Sequence, residues 1–318
     1  MIHFGIDSKS PKLSVQLPKK IVELGGLPYT AFWVDGYLPV ATDIKLCSDF
    51  PTGLMMQNLG NRLAVNLDLI NPIEDLGKFL ETSVVWRDYV EAWKSPDVLM
   101  SLLHRFAPAV KNRFQWPWRW ILLRRLKNRS NLELTVLLSV YRRGFQLSPH
   151  SDDRHKLISL IHYLPELDSA SQGDGGTSFY VPKSRTKRRH LRQFSPWSGG
   201  FRQYLPLWLS PILEAGLTRR YFESEQIDSN ERNTFEKFFS KACDVGYARN
   251  RISGFVKNDW SFHEVDLTNF PSSEIRRAVL INVRVHPSRI VARISQFESR
   301  IVRMKKALTR GAESNQLI

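Results

Sequence analysis

The sequence predicts a mainly β protein with flanking helices, an α+β chain, and three features carry that prediction. Apolar runs of strand length, rich in β-branched and aromatic residues, recur at 132–141, 156–164, 251–257 and 277–283. Between 72 and 104 the apolar residues fall instead at helical spacing: Ile73, Leu76, Phe79 and Leu80, then Val85, Tyr89 and Trp93, then Leu99, Leu102 and Leu103. Turn signals separate the runs, as at Pro51-Thr-Gly53 and Gly175-Gly176.

Taken in order, residues 27–39 alternate bulky and small side chains and read as a strand, followed by a short helix over 41–50. The span 72–110 reads as two helices packed against the core, broken at Ser95-Pro96. Residues 111–129 interleave Trp116, Trp118 and Trp120 with lysines and arginines; the pattern fits stacking on nucleic acid, but fits better a core stripe with charged outer neighbours. The run 132–141 is a strong strand signal, 156–164 a second, and 175–182 a turn followed by a third. Lys183, Arg185, Lys187, Arg188, Arg189 and Arg192 form a basic run that reads as a solvated, mobile loop. Helical spacing returns over 229–243, strands at 251–257 and 277–283, and a helix with Ile290, Ile294, Phe297, Ile301, Met304 and Leu308 on one face follows. That last helix either docks on the core or makes a dimer; its periodicity is the same for both.

With 318 residues, 42% of them hydrophobic, and 9 Trp, 9 Tyr and 18 Phe, the chain has material for a full-sized core and is not a disordered sequence. Only Cys47 and Cys243 are present, which excludes a disulfide framework or a zinc–thiolate site and fits a reducing compartment. The start lacks a basic segment leading into an apolar run, and no window is a membrane span, so a soluble, cytoplasmic protein is expected. A formal net charge of +15 favours acidic partners: nucleic acid, anionic lipid, or an acidic substrate or carrier. A scattered basic surface that aids solubility explains the charge equally well.

The chemistry-bearing stretch is 147–153, Leu-Ser-Pro-His-Ser-Asp-Asp, inside a segment that reads as a strand. Alternate strand residues face the same way, so His150 and Asp152 converge on one point. With a distant second histidine they would complete the 2-His-1-carboxylate face that holds ferrous iron and leaves positions open for substrate and oxygen. Standing alone the motif is weak, since a loop histidine and a turn aspartate after Pro149 are commoner. Three further stretches give it context: Tyr141-Arg-Arg-Gly144 before His150; Lys156 to Leu164, ending in Tyr163-Leu164, before Gly175-Gly176; and Phe262-His263-Glu-Val with Arg276-Arg-Ala-Val-Leu about a dozen residues on.

In that order these stretches resemble the 2-oxoglutarate and iron(II)-dependent oxygenases, in detail the prolyl-hydroxylase-like branch, over most of residues 27–285. The resemblance implies a double-stranded β-helix (jelly-roll, cupin-like) core, with 1–285 as a single catalytic domain and 286–318 as a C-terminal helix and tail. It implies that His150, Asp152 and His263 bind Fe(II), that Arg276 pairs with the distal carboxylate of 2-oxoglutarate, that Tyr163 adds a hydrogen bond to it, and that Tyr141 lines the pocket near the metal. Arg277, one residue on, should face the other way. The implied reaction consumes O2 and 2-oxoglutarate and hydroxylates an unactivated C–H bond of a free, peptidyl or carrier-bound amino acid; desaturation and cyclisation stay open as outcomes. The chain departs from the compact pattern in the long connection after Val181, so 183–247 is expected as a lid-like insertion over the barrel mouth.

Alternatives are tailoring of a small-molecule metabolite, nucleic-acid demethylation, and a noncatalytic jelly-roll binding module. Against demethylation, the segment from Arg276 to Arg284 does not match the Arg-x-Asn-x-x-x-x-x-Arg ending of the nucleic-acid repair branch. The remaining histidines, His3, His104, His155, His162, His190 and His286, read as structural or surface residues.

Overall fold

The computed structural model describes residues 13–18, 20–53, 62–66, 74–112, 132–152, 156–166, 173–187, 190, 194 and 229–285. Two antiparallel sheets face each other. The major sheet has the strand order β1-β2-β9-β6-β11-β4-β3 and the minor sheet β5-β10-β7-β8. These strands are β1 (Val22–Glu23), β2 (Ala31–Val34), β3 (Arg62–Asn66), β4 (Leu132–Tyr141), β5 (Gln146–Ser151), β6 (Lys156–Tyr163), β7 (Gly173–Pro182), β8 (Phe239–Tyr247), β9 (Arg251–Val256), β10 (Phe262–Asp266) and β11 (Arg276–Val285). From β4 to β11 the chain crosses repeatedly between the sheets, placing β4, β6, β9 and β11 in one and β5, β7, β8 and β10 in the other. That winding is a double-stranded β-helix, a jelly roll.

The central strands β6 and β11 are buried on both faces, which explains why their sequences are nearly continuous apolar runs. Register decides which residues point where. Arg276 pairs with Tyr141, Ala278 with Ser139 and Tyr163, and Asn282 with Thr135 and Ser159. Even-numbered β11 residues therefore face the space between the sheets, while Val279, Ile281 and Val283 join the core on the other side. A one-residue slip would exchange these sets.

That outer core is covered by α1 (Val40–Ser48), α2 (Glu74–Thr82), α3 (Val84–Lys94), α4 (Pro96–Arg105) and α5 (Ala107–Asn112). Leu46, Trp86, Tyr89, Trp93, Leu102 and Phe106 fill it. The expected pair of helices is thus four segments. Ser83 has extended φ/ψ of −94° and 96° and interrupts the first, and Ser95 caps α4 through its Oγ, with Pro96 at the first helical position. The inner core between the sheets comprises Tyr29, Ala31, Ile161, Phe179, Val245, Phe255, Leu267 and Phe270, among others. Tyr29 crosses it, its hydroxyl donating to the Phe262 carbonyl at 3.1 Å.

The helical reading of 229–243 is corrected. A sixth helix, α6 (Ser229–Phe238), ends at Phe238 and the chain continues directly as β8, paired with β7. Phe235 and Phe239 stack at 4.6 Å across this junction, so an i,i+4 pair that mimics one helix face spans two elements. Residues 239–247, the last part of the 183–247 stretch, are thus a strand of the minor sheet. The basic run begins against α6: the Lys183 amide donates to the Phe238 carbonyl at 2.8 Å, and Lys183 Nζ and Thr186 Oγ1 donate to the carbonyls of Glu236 and Phe238. Cations and donors at a helix C-terminus satisfy its orphan carbonyls.

Residues 113–131 with their tryptophan stripe, Asp153, most of the basic run beyond Lys187, residues 195–228, and the helix expected over 290–308 lie outside the described residues, as do His3, His155 and His286. Among the described residues no helix is long and apolar enough to cross a membrane.

Candidate metal centre

Strands β5 and β10 pair so that His150 stands opposite His263, their ring centroids 4.3 Å apart. β5 ends at Ser151, so Asp152 is not the alternate residue of a continuing strand as expected; it lies one step past the strand and turns inward. The result is nevertheless a cluster. One donor atom from each of His150, Asp152 and His263 lies within 4.8 Å of the others, with Asp152 and His263 each 6% exposed.

Both imidazoles are oriented by backbone. His150 Nδ1 lies 2.8 Å from the Ser148 carbonyl and His263 Nδ1 lies 3.2 Å from that of Ser261. A carbonyl only accepts, so each Nδ1 carries a hydrogen and each Nε2 is the nitrogen left to face the cluster. Burial, reinforced by the neighbouring His150, pushes His263 down to about 3 against the opposing pull of Asp152, so its ring is neutral at ordinary pH. Phe255 packs on it at 4.5 Å. For Asp152, burial alone would raise the carboxyl, but the Lys156 ammonium and then the two imidazoles outweigh it and hold the group well below the usual carboxylate range. Ser159 Oγ donates to Asp152 Oδ2 and Lys156 Nζ to Oδ1, each at 2.7 Å. Two imidazoles, that of His263 neutral, and one ionised carboxylate, held close and oriented by outer partners, are a donor set that fits a divalent transition metal such as Fe(II).

On the same inner face of the major sheet as Tyr141 and Tyr163, Arg276 opens β11 and is 1% exposed. Its Nε donates to the Gly175 carbonyl, its guanidinium carbon lies 5.5 Å from the ring centroids of Tyr141 and Tyr163 and 5.8 Å from that of Tyr247, and its Nη2 is buried without a hydrogen-bond partner. No carboxylate pairs with it among the described residues. A buried guanidinium left this way is costly unless an anion completes it. Tyr163 Oη shares a hydrogen bond of 2.7 Å with Thr177 Oγ1 and accepts one from Ser253 Oγ at 3.2 Å. Tyr141 stacks on Phe145 at 4.2 Å. Arg277 faces the helices instead: its Nε donates to the Leu164 carbonyl at 3.0 Å and its guanidinium lies over Phe50. Gly175 needs its residue type, since its φ is +76° and a Cβ would meet Phe270 at 2.7 Å.

Sequence reasoning missed Lys156, Ser159, Thr177, Tyr247 and Ser253, and it missed the polar inner residues Thr135, Ser139 and Asn282. Thr135 Oγ1 and Ser139 Oγ are buried without hydrogen-bond partners. The available signal was a single polar residue inside an apolar strand, as in Leu157-Ile-Ser159-Leu-Ile or Leu280-Ile-Asn282-Val.

The fold and the site together define a double-stranded β-helix protein with a buried His-Asp-His group. No protein-family model matches the sequence, and no curated protein matches it. Solved structures to which it is similar include a prolyl-4-hydroxylase from Pseudomonas putida, at 11% identity over 81% of this chain and 94% of that one, with a TM-score of 0.42. Another is HygX from Streptomyces hygroscopicus with nickel and 2-oxoglutarate bound, at 12% identity over 81% and 83%, TM-score 0.38. A third is a viral collagen prolyl hydroxylase from Paramecium Bursaria Chlorella virus-1 in a 2-oxoglutarate complex, at 10% identity over 80% and 96%, TM-score 0.34.

Proposed function

We propose that this protein is a 2-oxoglutarate-dependent Fe(II) dioxygenase that hydroxylates an unactivated C–H bond of an amino acid, free, peptidyl or carrier-bound. The observation that carries the reading is the group His150, Asp152 and His263, whose donor atoms lie within 4.8 Å of one another, with Asp152 and His263 buried and His150 half-buried. In this reading His150 and His263 hold Fe(II) through their Nε2 atoms and Asp152 supplies the anionic ligand. When bound, Fe(II) with 2-oxoglutarate and O2 supplies the oxidant, the cosubstrate being decarboxylated to succinate.

The chain's own groups do the rest. Arg276 is the fork for the distal carboxylate of 2-oxoglutarate, its unpartnered Nη2 being the donor left for it. Tyr163 adds its hydroxyl, released from or shared with Thr177. Tyr141 and Tyr247 wall the guanidinium and keep water from it. Phe255, Phe179 and Val265 line the space beside the histidines and exclude water from the metal face.

The test is succinate formation from 2-oxoglutarate in air with ferrous salt. Wild-type protein should form succinate even without added substrate, at a slow uncoupled rate, and Asp152→Ala should lose both turnover and Fe(II) binding. No turnover in wild type, together with unchanged metal binding in Asp152→Ala, would make the protein a noncatalytic jelly-roll module.

A further inference from the structure

Asp152 is the one anionic member of the metal group, and both its oxygens are engaged, Oδ2 by the neutral Ser159 hydroxyl and Oδ1 by a full positive charge on Lys156. The lysine side chain is 23% exposed and the aspartate 8%, so their contact at 2.7 Å is weakly screened. Lys257, 3% exposed, lies beside the residue before Asp152, donating to Ser151 Oγ and to the Asn258 carbonyl at 2.9 Å. Glu264, the neighbour of His263, is engaged on the opposite face of the sheet by the Tyr180 hydroxyl and by Arg232 at 3.5 Å.

A cation on one oxygen of a metal-binding carboxylate acts in two opposed directions. It stands within a few ångströms of a divalent ion on the same carboxylate and repels it. It attracts a dicarboxylate bound to that ion. In the loaded site, a divalent ion, Asp152, Arg276 and doubly charged 2-oxoglutarate sum to neutrality, and the Lys156 ammonium adds its positive charge directly beside Asp152. We propose that Lys156 is a positioning residue that shifts binding from metal to cosubstrate: its ammonium weakens the hold on the divalent ion and strengthens the hold on 2-oxoglutarate. This rests on the metal and cosubstrate assignment above.

The opposed signs separate this role from simple support of Asp152, whose loss would weaken both ligands together. Anaerobic titration of the full-length chain with Mn(II), then of the Mn(II)-loaded protein with 2-oxoglutarate, at one pH and ionic strength, reads both affinities without turnover. In Lys156→Met the Mn(II) Kd should fall, and the 2-oxoglutarate Kd rise, each by about five-fold or more. Lys156→Gln keeps a donor for Oδ1 without charge and should move both constants the same way, which keeps the test decisive if the methionine variant fails to fold. Lys156→Arg should restore both to within about two-fold of wild type. Weaker binding of both ligands in the neutral variants, or no change in either, would overturn the proposal. Wild-type protein that binds no Mn(II) would overturn the metal assignment itself.

Discussion

The two faces of the major sheet are made by the same strands and obey different rules. Towards the helices, Val279, Ile281 and Val283 meet Trp86, Tyr89, Trp93 and their neighbours in a continuous apolar core. Towards the minor sheet the same strands carry Thr135, Ser139, Ser159, Ser253, Arg276 and Asn282, all buried and several incompletely hydrogen-bonded. Polar atoms buried without a partner occur on both faces, Trp86 Nε1, Trp93 Nε1 and His162 Nε2 towards the helices and Thr135 Oγ1, Ser139 Oγ and Arg276 Nη2 towards the minor sheet. The faces thus differ in how many polar side chains they bury, and in the proposed function the more polar inner face is the one that holds ligands. Substitutions should therefore separate stability from binding according to the face they touch.

The largest effect belongs to the outer face. Trp86→Ala should lose about 3–5 kcal/mol in urea unfolding through the cavity it leaves, and still bind Mn(II) with wild-type affinity at temperatures where it remains folded. On the inner face, Arg276→Met should weaken 2-oxoglutarate binding by about 2–3 kcal/mol, more than ten-fold, with no loss of stability, because it removes a buried cation whose Nη2 has no partner. A parallel fall in the urea midpoint would show that Arg276 is a structural residue.

His162 gives a smaller, pH-dependent effect from the outer face. It is fully buried, bonds the Tyr89 hydroxyl through Nδ1 at 2.9 Å, and burial pushes it down to about 3 from 6.5. The unfolded chain therefore takes up the proton first: stability is complete above about pH 6.5 and is lost as the pH falls towards 3, by at most about 1.4 kcal/mol per unit for this one group. Urea midpoints measured between about pH 4 and 7 should fall less steeply in His162→Gln than in wild type. Smallest of all, Thr135→Val replaces a buried hydroxyl that has no partner by a methyl group and should leave stability unchanged or raise it by up to about 1 kcal/mol.

Legibility in the sequence divided along similar lines. Strands β4, β6 and β11 were readable because burial on both faces demands unbroken β-branched and leucine runs. Strand β10 was not, since it is five residues long and includes Glu264, a buried carboxylate that Tyr180, Arg232 and Lys241 make tolerable. The α6–β8 junction was misread because Phe235 and Phe239 satisfy helical spacing while packing from different elements. At the site, strand spacing pointed to His150 and Asp152, and the family resemblance implied His263, Arg276, Tyr163 and Tyr141; the structure brings His150, Asp152 and His263 into one group and Tyr163 and Tyr141 around the Arg276 guanidinium. Lys156, Ser159 and Tyr247 were not legible, because their contacts depend on where Asp152 turns after β5 and on the register between strands far apart in the chain.

In the proposed function the polar inner face holds a metal and 2-oxoglutarate for oxidation. Turnover under isotopically labelled O2 with Fe(II) and 2-oxoglutarate, followed by mass analysis of succinate, tests it most directly. The account predicts succinate carrying one labelled oxygen atom in wild type and no succinate from His263→Ala; wild-type protein that forms no labelled succinate would contradict it.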